Sequence, residues 1–532
     1  MKAPKEMLKT LLGELPGTAE IYWLLRQGQY SGGHFSLRRL QKYLPQLLAQ
    51  TMPFAQAASP GRQVFIFATL HYWIEHAALL GLALTGQGHR VTLAYLPYAD
   101  WRKPLNRFDL RRRDMYTLSI LRLAELLLKP LSLLQAQPVK ALPSSLQSLI
   151  DQVTVFDTQY TLQIEDVNPL MGIYRLRRER NNFAACTTFG YFQAHRADVV
   201  IVPNGMILEF GAIYEVARHL GIPVVSYEFG DQANRVWMAQ ESQIVRHETD
   251  DLWESRRPLP LSKVQREWLE KLLKGRQNTT PDSTFARLYP QFADVQGGKR
   301  VRAVLGLDSR PVVLLPTNVL GDSLTLGRQV FTATMTEWIT RLVHYFVNHP
   351  EVQLVVRIHP GEVISRGPSI REEIEKVVPE LPEHIHFVNP KDPINTYDLL
   401  EIADLGLVYT TTTGLEMATR GIPVIIGGKT HYRNRGFTID PNSWDEYFAS
   451  LDRVLADLPG QRLTPEQLGL AWNYAYRFFR EYPRPFPWHL ACYWDDLRER
   501  PMEYVLSAEG QAQYAATFRQ MAGEPMDWSD IE

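Results

Sequence analysis

The chain has 532 residues, more than one ordinary core organises, so two or three domains are expected. Hydrophobic residues make up 45% and charged residues 22%, a globular balance, and a net charge of −1 gives no bulk attraction for nucleic acid. Two cysteines, Cys186 and Cys492, exclude a disulfide framework and a cysteine-based zinc cluster, and they fit a reducing cytoplasm.

Residues 1–58 read as an amphipathic helical extension with a turn at Ser31-Gly32-Gly33. Its first turns hold lysines but no apolar run of signal-peptide length. No uncharged apolar window of about 18 residues occurs, so no transmembrane helix is expected. Pro60-Gly61 then breaks the chain, and residues 59–255 read as a first Rossmann-like domain. A strand over Val64–Thr69, a helix from Ile74 to Gly86 and a strand over Arg90–Tyr95 open a doubly wound α/β unit. His71, Glu75 and His76 follow the opening strand, where such sheets bind ligands. Residues 100–150 read as mostly helical and basic. Within them Arg111-Arg112-Arg113 precedes a leucine-rich stretch, Leu118–Leu134. As one helix it would suit an anionic lipid surface, so any membrane contact is expected to be peripheral, although a core helix with a solvated face is the simpler reading.

Asp198–Pro203 is the next strand, Ile207–Leu220 the next helix and Val224–Tyr227 the strand after it. That strand runs into Glu228-Phe229-Gly230-Asp231, whose two carboxylates are candidate general bases at a strand end. Residues 256–300 read as a helical connector and linker, punctuated by Pro258, Pro260, Pro281 and Gly297-Gly298. A second Rossmann-like domain is expected over 301–464, and a helical, aromatic-rich segment over 465–532. The 12 tryptophans and 24 tyrosines are read as core and interface packing before carbohydrate platforms.

Three constellations sit in the second domain. Arg357-Ile358-His359-Pro360-Gly361 ends the strand Val352–Ile358, and its Arg and His, two apart on extended chain, point the same way, as a phosphate requires. The segment from Asp404 to Gly427 reads as a strand (Leu405–Tyr409), four hydroxyls (Thr410, Thr411, Thr412, Thr413), Gly414, a helix (Leu415–Arg420) and a strand ending in Gly-Ile-Pro-Val-Ile. Hydroxyls and free N–H groups at a helix start make an anion site, with Glu416 in the first turn suited to a ribose hydroxyl. Thr413 and Glu416 alone would serve as a capping box. Asn389-Pro390-Lys391-Asp392-Pro393 with Asn395 and Tyr397 reads as a loop at the same edge that could wall a base or ribose. A second GIPV, Gly221–Val224, suggests two similar domains with a cleft between them.

The Arg357–Pro360 motif, the threonine run with Gly414 and Glu416, the GIPVI strand and Tyr432…Gly436-Phe437-Thr438 resemble bacterial capsule polysaccharide biosynthesis proteins. These are GT-B glycosyltransferases similar to capsular Kdo transferases, and bacterial sialyltransferases share related motifs. The resemblance is good over 300–440, loose over 60–230 and absent at both ends. It implies an inverting transferase that moves a sugar from a CMP- or UDP-linked donor to a glycan or glycolipid acceptor. It implies donor contacts from Arg357, His359, Thr410–Thr413, Gly414 and Glu416 and catalytic roles for Glu228 and His359; placement after strands adds Asp231 and His76 as catalytic candidates and Lys391 and Asn395 as donor contacts. In the family an acidic-acidic-glycine motif carries the base, whereas here Phe229 stands at the second acid. No Asp-x-Asp occurs, so no metal site is expected, and no cofactor beyond the nucleotide-sugar substrate. A bacterial, cytoplasmic enzyme at the inner face of the membrane is the expected setting. A nucleotide-sugar 2-epimerase and a non-catalytic nucleotide-sugar-binding subunit are the alternatives.

Overall fold

A computed structural model of the chain describes residues 4–26, 28–30, 35–277 and 295–529. The turn expected at Ser31-Gly32-Gly33 and the middle of the expected linker, with Pro281, lie outside the described residues. The chain forms two compact units. The first comprises Met1–Thr158, Asn168–Val245 and Arg484–Met526, and the second Gln159–Val167, Arg246–Pro483 and Asp527–Glu532. The C-terminal residues therefore divide between the units, where the sequence suggested one extension.

The first unit holds β1 (Gln63–Thr69), β2 (Arg90–Leu96), β3 (Leu128–Ser132), β4 (Val199–Pro203), β5 (Val224–Glu228) and β6 (Arg235–Gln240). Their order is β6-β5-β4-β1-β2-β3. All pairs are parallel except β5 with β6, and the short strand Arg484–Pro485 adds antiparallel to β6. β1 and β4 are unbroken apolar runs buried throughout their interiors, as strands covered by helices on both faces must be. The stretch Leu118–Leu134 is not one helix. A helix ends at Leu121, a short 3₁₀ turn follows, and Leu128–Ser132 pairs with β2. Pro130 cannot continue a helix, and the edge that β2 offers takes the segment as a strand.

Beneath this sheet lies a fully buried ionic cluster. Arg177 donates from Nε to Asp157 at 2.6 Å, from Nη2 to Glu209 at 2.8 Å and from Nη1 to the Trp101 carbonyl at 3.0 Å. Asn181 completes Asp157 with a 2.9 Å bond.

The second unit holds β7 (Val312–Pro316), β8 (Gln353–Arg357), β9 (Ile385–Val388), β10 (Leu405–Val408) and β11 (Val424–Ile426), in the order β11-β10-β7-β8-β9 and all parallel. In each unit the first strand is central, the next two step to one side and the following two to the other. That shared order makes both units Rossmann-like, and the α/β class expected from the sequence is the one adopted. The core of the second unit centres on Trp338, Phe346, Leu354, Leu407 and Tyr447. The order reverses beside β7, so the C-terminal ends of β7, β8 and β10 border a switch point, where such sheets bind ligands.

Candidate active site

A cavity of about 430 Å³ lies there, lined from three strand ends by Pro316-Thr317-Asn318, by Arg357 with His359 to Gly361, and by Thr410 to Thr413. Glu416, Arg276, Asp322, Thr396, Tyr397, Val319 and Leu324 complete its wall.

Arg357 is buried at the end of β8. Its Nη1 donates to the Asn389 carbonyl at 2.7 Å and its Nε to Thr396 Oγ1 at 3.3 Å, which aims the guanidinium. Burial lowers its pKa to about 10, so it remains a cation at neutral pH. His359 is pinned by its own N–H, which donates to Thr317 Oγ1 at 3.0 Å. Burial, helped by the Arg357 charge, lowers the His359 pKa to about 4, so the ring is neutral. Its Nδ1 accepts from the Gly361 N–H at 2.9 Å, which places the ring proton on Nε2. His359 thus offers a hydrogen-bond donor, not a second positive charge.

The threonines divide their work. Thr411 and Thr413 bond each other through their hydroxyls at 3.1 Å, and Thr411 Oγ1 also accepts from the Thr413 N–H. Thr410 Oγ1 is buried with no partner among the described residues, a polar atom waiting for one. The helix after them, Thr413–Ala418, has only six residues, so its dipole is modest beside the full charge of Arg357. Thr412 stands at the N-cap position without capping through its side chain, contrary to the capping-box reading.

Three expected donor contacts are placed otherwise. Gly414 is buried, and a Cβ there would meet the Tyr432 hydroxyl at 2.3 Å; its role is close packing. That hydroxyl donates to the Thr411 carbonyl at 2.6 Å and so holds the loop from behind. Lys391 is exposed and does not line the cavity. Asn395 is buried and caps the helix Thr396–Ile402 by accepting from the Tyr397 N–H at 2.8 Å. Its Nδ2 donates to the Gln277 carbonyl at 3.5 Å, so both ends of the amide meet backbone, and the side chain does not line the cavity. The loop serves the cavity through the Asn389 carbonyl, Thr396 and Tyr397 instead. Glu416 does reach the wall, in an ion pair with Arg276 of the helix Lys263–Gln277 at 2.9 Å.

Sequence reasoning missed Arg276, Thr317, Asn318 and Asp322. The last three follow β7, and the rule that ligands bind beyond strand C-termini could have found them. Arg276 lies 140 positions from its partner Glu416, and no local pattern marks it.

In the first unit, Glu228 ends β5 and is half-buried. Its Oε2 accepts from Asn204 Nδ2 at 3.3 Å and its Oε1 from the Phe229 N–H at 3.1 Å. Asp231 is also half-buried. The backbone around these strand ends is strained, with left-handed non-glycine residues at Leu70 (φ 64°), Asn204 (φ 57°) and Leu208 (φ 54°). Such conformations cost about 1–3 kcal/mol each and cluster at functional sites. Phe229 is buried against His76, Phe486 and His489, so an acid in its place would sit in an apolar nest.

His76 is not a base. It is wholly buried within the helix His71–Gly86, ringed by Trp73, Tyr227, Phe229 and Tyr493. Its Nε2 bonds the Trp488 carbonyl at 3.0 Å, and burial lowers its pKa to about 4. Glu75 is likewise structural, accepting from Tyr493 Oη at 2.6 Å, Trp494 Nε1 at 3.2 Å and the Leu40 N–H at 3.3 Å. His71 is half-buried, packed edge-on to Phe35 and Tyr72.

The buried His76 ring makes folding sensitive to acid. Its folded pKa lies below the unfolded value of 6.5, so the unfolded chain binds the extra proton between about pH 4 and 6.5. This contribution is absent above that window and weakens the fold as pH drops through it. His76→Phe is expected to shrink the stability loss between pH 7 and pH 5 by about 2 kcal/mol. Denaturant titrations at the two pH values check this; an unchanged loss means that the ring titrates normally in the fold.

No protein-family model matches the chain, and no curated protein matches it. Among solved structures it is similar to the KpsC β-Kdo 2,4-transferase of Thermosulfurimonas dismutans, at 17% identity and a TM-score of 0.37, over 55% of this chain and 82% of that one. It is similar to a UDP-GlcNAc 2-epimerase from Neisseria meningitidis bound to UDP-GlcNAc, at 13% identity and a TM-score of 0.24, over 79% of this chain and 100% of that one. A glycosyltransferase from Rickettsia africae aligns at 10% identity and a TM-score of 0.28, over 88% of this chain and 100% of that one. A capsular Kdo transferase, the kind of protein named by the sequence resemblance, is thus among the structures to which the chain is similar. None of these likenesses assigns a residue role to it.

Proposed function

We propose that the chain is a glycosyltransferase that moves a sugar from a CMP- or UDP-linked donor to a glycan or glycolipid acceptor in surface polysaccharide synthesis. One observation carries this reading. A cavity at the switch point of a Rossmann-like sheet joins a buried cation, an imidazole N–H donor and an unpartnered threonine hydroxyl, with a carboxylate on its wall. That set matches a nucleotide's phosphate and its ribose. Sugar departure leaves negative charge on the phosphate oxygens. Arg357, His359 Nε2–H and the Thr410 hydroxyl would stabilise that charge as it develops, without reorganising. Glu416, paired with Arg276, would meet the ribose hydroxyls. The acceptor hydroxyl needs a base, and Glu228 is our candidate, with Asp231 next.

Calorimetry with CMP and UDP tests the site. Arg357→Met is expected to weaken the nucleotide that binds by roughly 10- to 100-fold, the loss of charged hydrogen bonds. Thr410→Val is expected to weaken it by a few-fold, about 1 kcal/mol. Unchanged affinity in both variants, with normal melting of the free proteins, would refute the phosphate assignment. Incubation with UDP-GlcNAc alone separates the nearest rival activity: epimerisation without any acceptor would sink the transferase reading.

A further inference from the structure

The N-terminal helices Pro4–Glu14 and Thr18–Leu25 are turned inside out. At helical spacing, Met7, Leu8, Leu11 and Leu15 form one stripe and Ile21, Leu24 and Leu25 another. In a globular helix such stripes face the core. Here all seven side chains are 54–77% exposed. The faces that pack inward carry small and charged residues together with Tyr22, whose ring meets Phe108 edge-on and lies under Arg112. Gly13 sits so close to the helix Arg107–Leu121 that a Cβ would lie 2.7 Å from the Phe108 nitrogen, and Ala19 is fully buried. Lys9 pairs with Asp109 at 2.7 Å, Glu14 with Arg107 at 2.9 Å, and Glu20 with Arg111. These contacts fix which way the helices face, so the outward apolar stripes are a consequence of the seam. They also engage Arg107 and Arg111, two of the basic residues around the Arg111–Arg113 run.

We propose that these two helices are the membrane-docking surface of the protein, and that their partner is an anionic lipid bilayer. Three observations choose that occupant. Residues 1–58 carry seven lysines and arginines against three glutamates, a local charge of +4 on a chain of net charge −1. Arg26, next to Leu25, and Arg38, Arg39 and Lys42 just beyond are exposed. A second copy would bring a segment of the same net positive charge against this one and be repelled. An acidic polypeptide would answer the charge but leave the leucines in water. An interface of acyl chains beneath anionic headgroups answers both. With 11 and 8 residues the helices are too short to span a bilayer, which needs about 20 apolar residues, so they would lie in its surface. The inference stands independently of the proposed sugar transfer.

Flotation of the full chain with phosphatidylcholine vesicles, with and without phosphatidylglycerol, tests it. The wild type is expected to float with the anionic vesicles and to be released by high salt. The double variant Leu11→Glu, Leu24→Glu is expected to lower vesicle partitioning at least about tenfold while melting normally, because both side chains are exposed. A dye on Leu24→Cys gives a reading that needs no destabilising change: its emission should shift to the blue with anionic vesicles only. No flotation, equal flotation of the double variant, or a dye that reports vesicles of either composition alike would overturn the proposal. So would light scattering that shows a wild-type dimer dissolved by the double variant, since the stripes would then cover each other.

Discussion

Replacing Glu228 by glutamine is expected to lower sugar transfer by about 10²–10⁴-fold, the usual contribution of a positioned general base. Glutamine keeps the shape and can keep the bond to Asn204 Nδ2, so the strand end should hold its conformation. What is lost is the bond from the Phe229 N–H, which the amide NH2 cannot accept, and the capacity to take up a proton. Nucleotide affinity is expected to stay as in the wild type, because every nucleotide contact we propose comes from the second unit. Turnover kinetics with calorimetry on the same preparation separates the two quantities. If Glu228→Gln keeps near-normal turnover while Asp231→Asn loses it, the base is the second carboxylate. If both keep it, the segment carries no base, and His71 becomes the remaining candidate at that edge.

Arg177→Met is expected to destabilise the first unit by about 3–5 kcal/mol. The guanidinium is fully buried and answers two carboxylates and a carbonyl. Methionine fills much of the volume but leaves Asp157 and Glu209 as buried, like-charged neighbours. Burial already pushes the Asp157 pKa up, with the Arg177 charge opposing that push. Without Arg177 nothing opposes the push of burial on Asp157, whose carboxyl then favours its protonated form, so the variant should be less unstable at pH 5 than at pH 8. Denaturant unfolding followed across that range measures both the loss and its sign. The triple replacement of Arg177, Asp157 and Glu209 by apolar residues should recover much of the loss, since it removes the uncompensated charges together. A single variant as stable as the wild type would mean that water reaches the cluster.

Most strands of the two Rossmann-like units were legible in the sequence to within one or two residues. Val64–Thr69 and Leu405–Tyr409 are apolar runs beside glycine, proline or polar residues. A parallel strand buried on both faces has no other way to be written. The elements missed are those whose neighbours decide them. Leu128–Ser132 was read with the leucine-rich helix although Pro130 breaks one, and it becomes a strand at the edge that β2 offers. β6 and Arg484–Pro485 carry no strong local signal and are recruited by pairing. At the site, Arg357, His359 and the threonines were readable because a strand end is a local feature. Asn395 and Gly414 were misread because their residue types suit ligand contact, capping and packing equally.

What the sequence determined by itself was the alternation of strands and helices and the set of polar residues that follow each strand. Both depend on periodicity and on a few neighbours along the chain. Tertiary structure alone decided which of those residues meet. It brought Arg276 to Glu416 and Thr317 to His359, and it buried His76 in an aromatic nest. It also decided protonation, since the neutral state of His359 comes from burial and from the charge of Arg357. The N-terminal helices show the same division. Their apolar stripes are written in the sequence, but the direction those stripes face was set by Gly13, Ala19 and three ion pairs to residues about a hundred positions away, whose geometry no local pattern encodes.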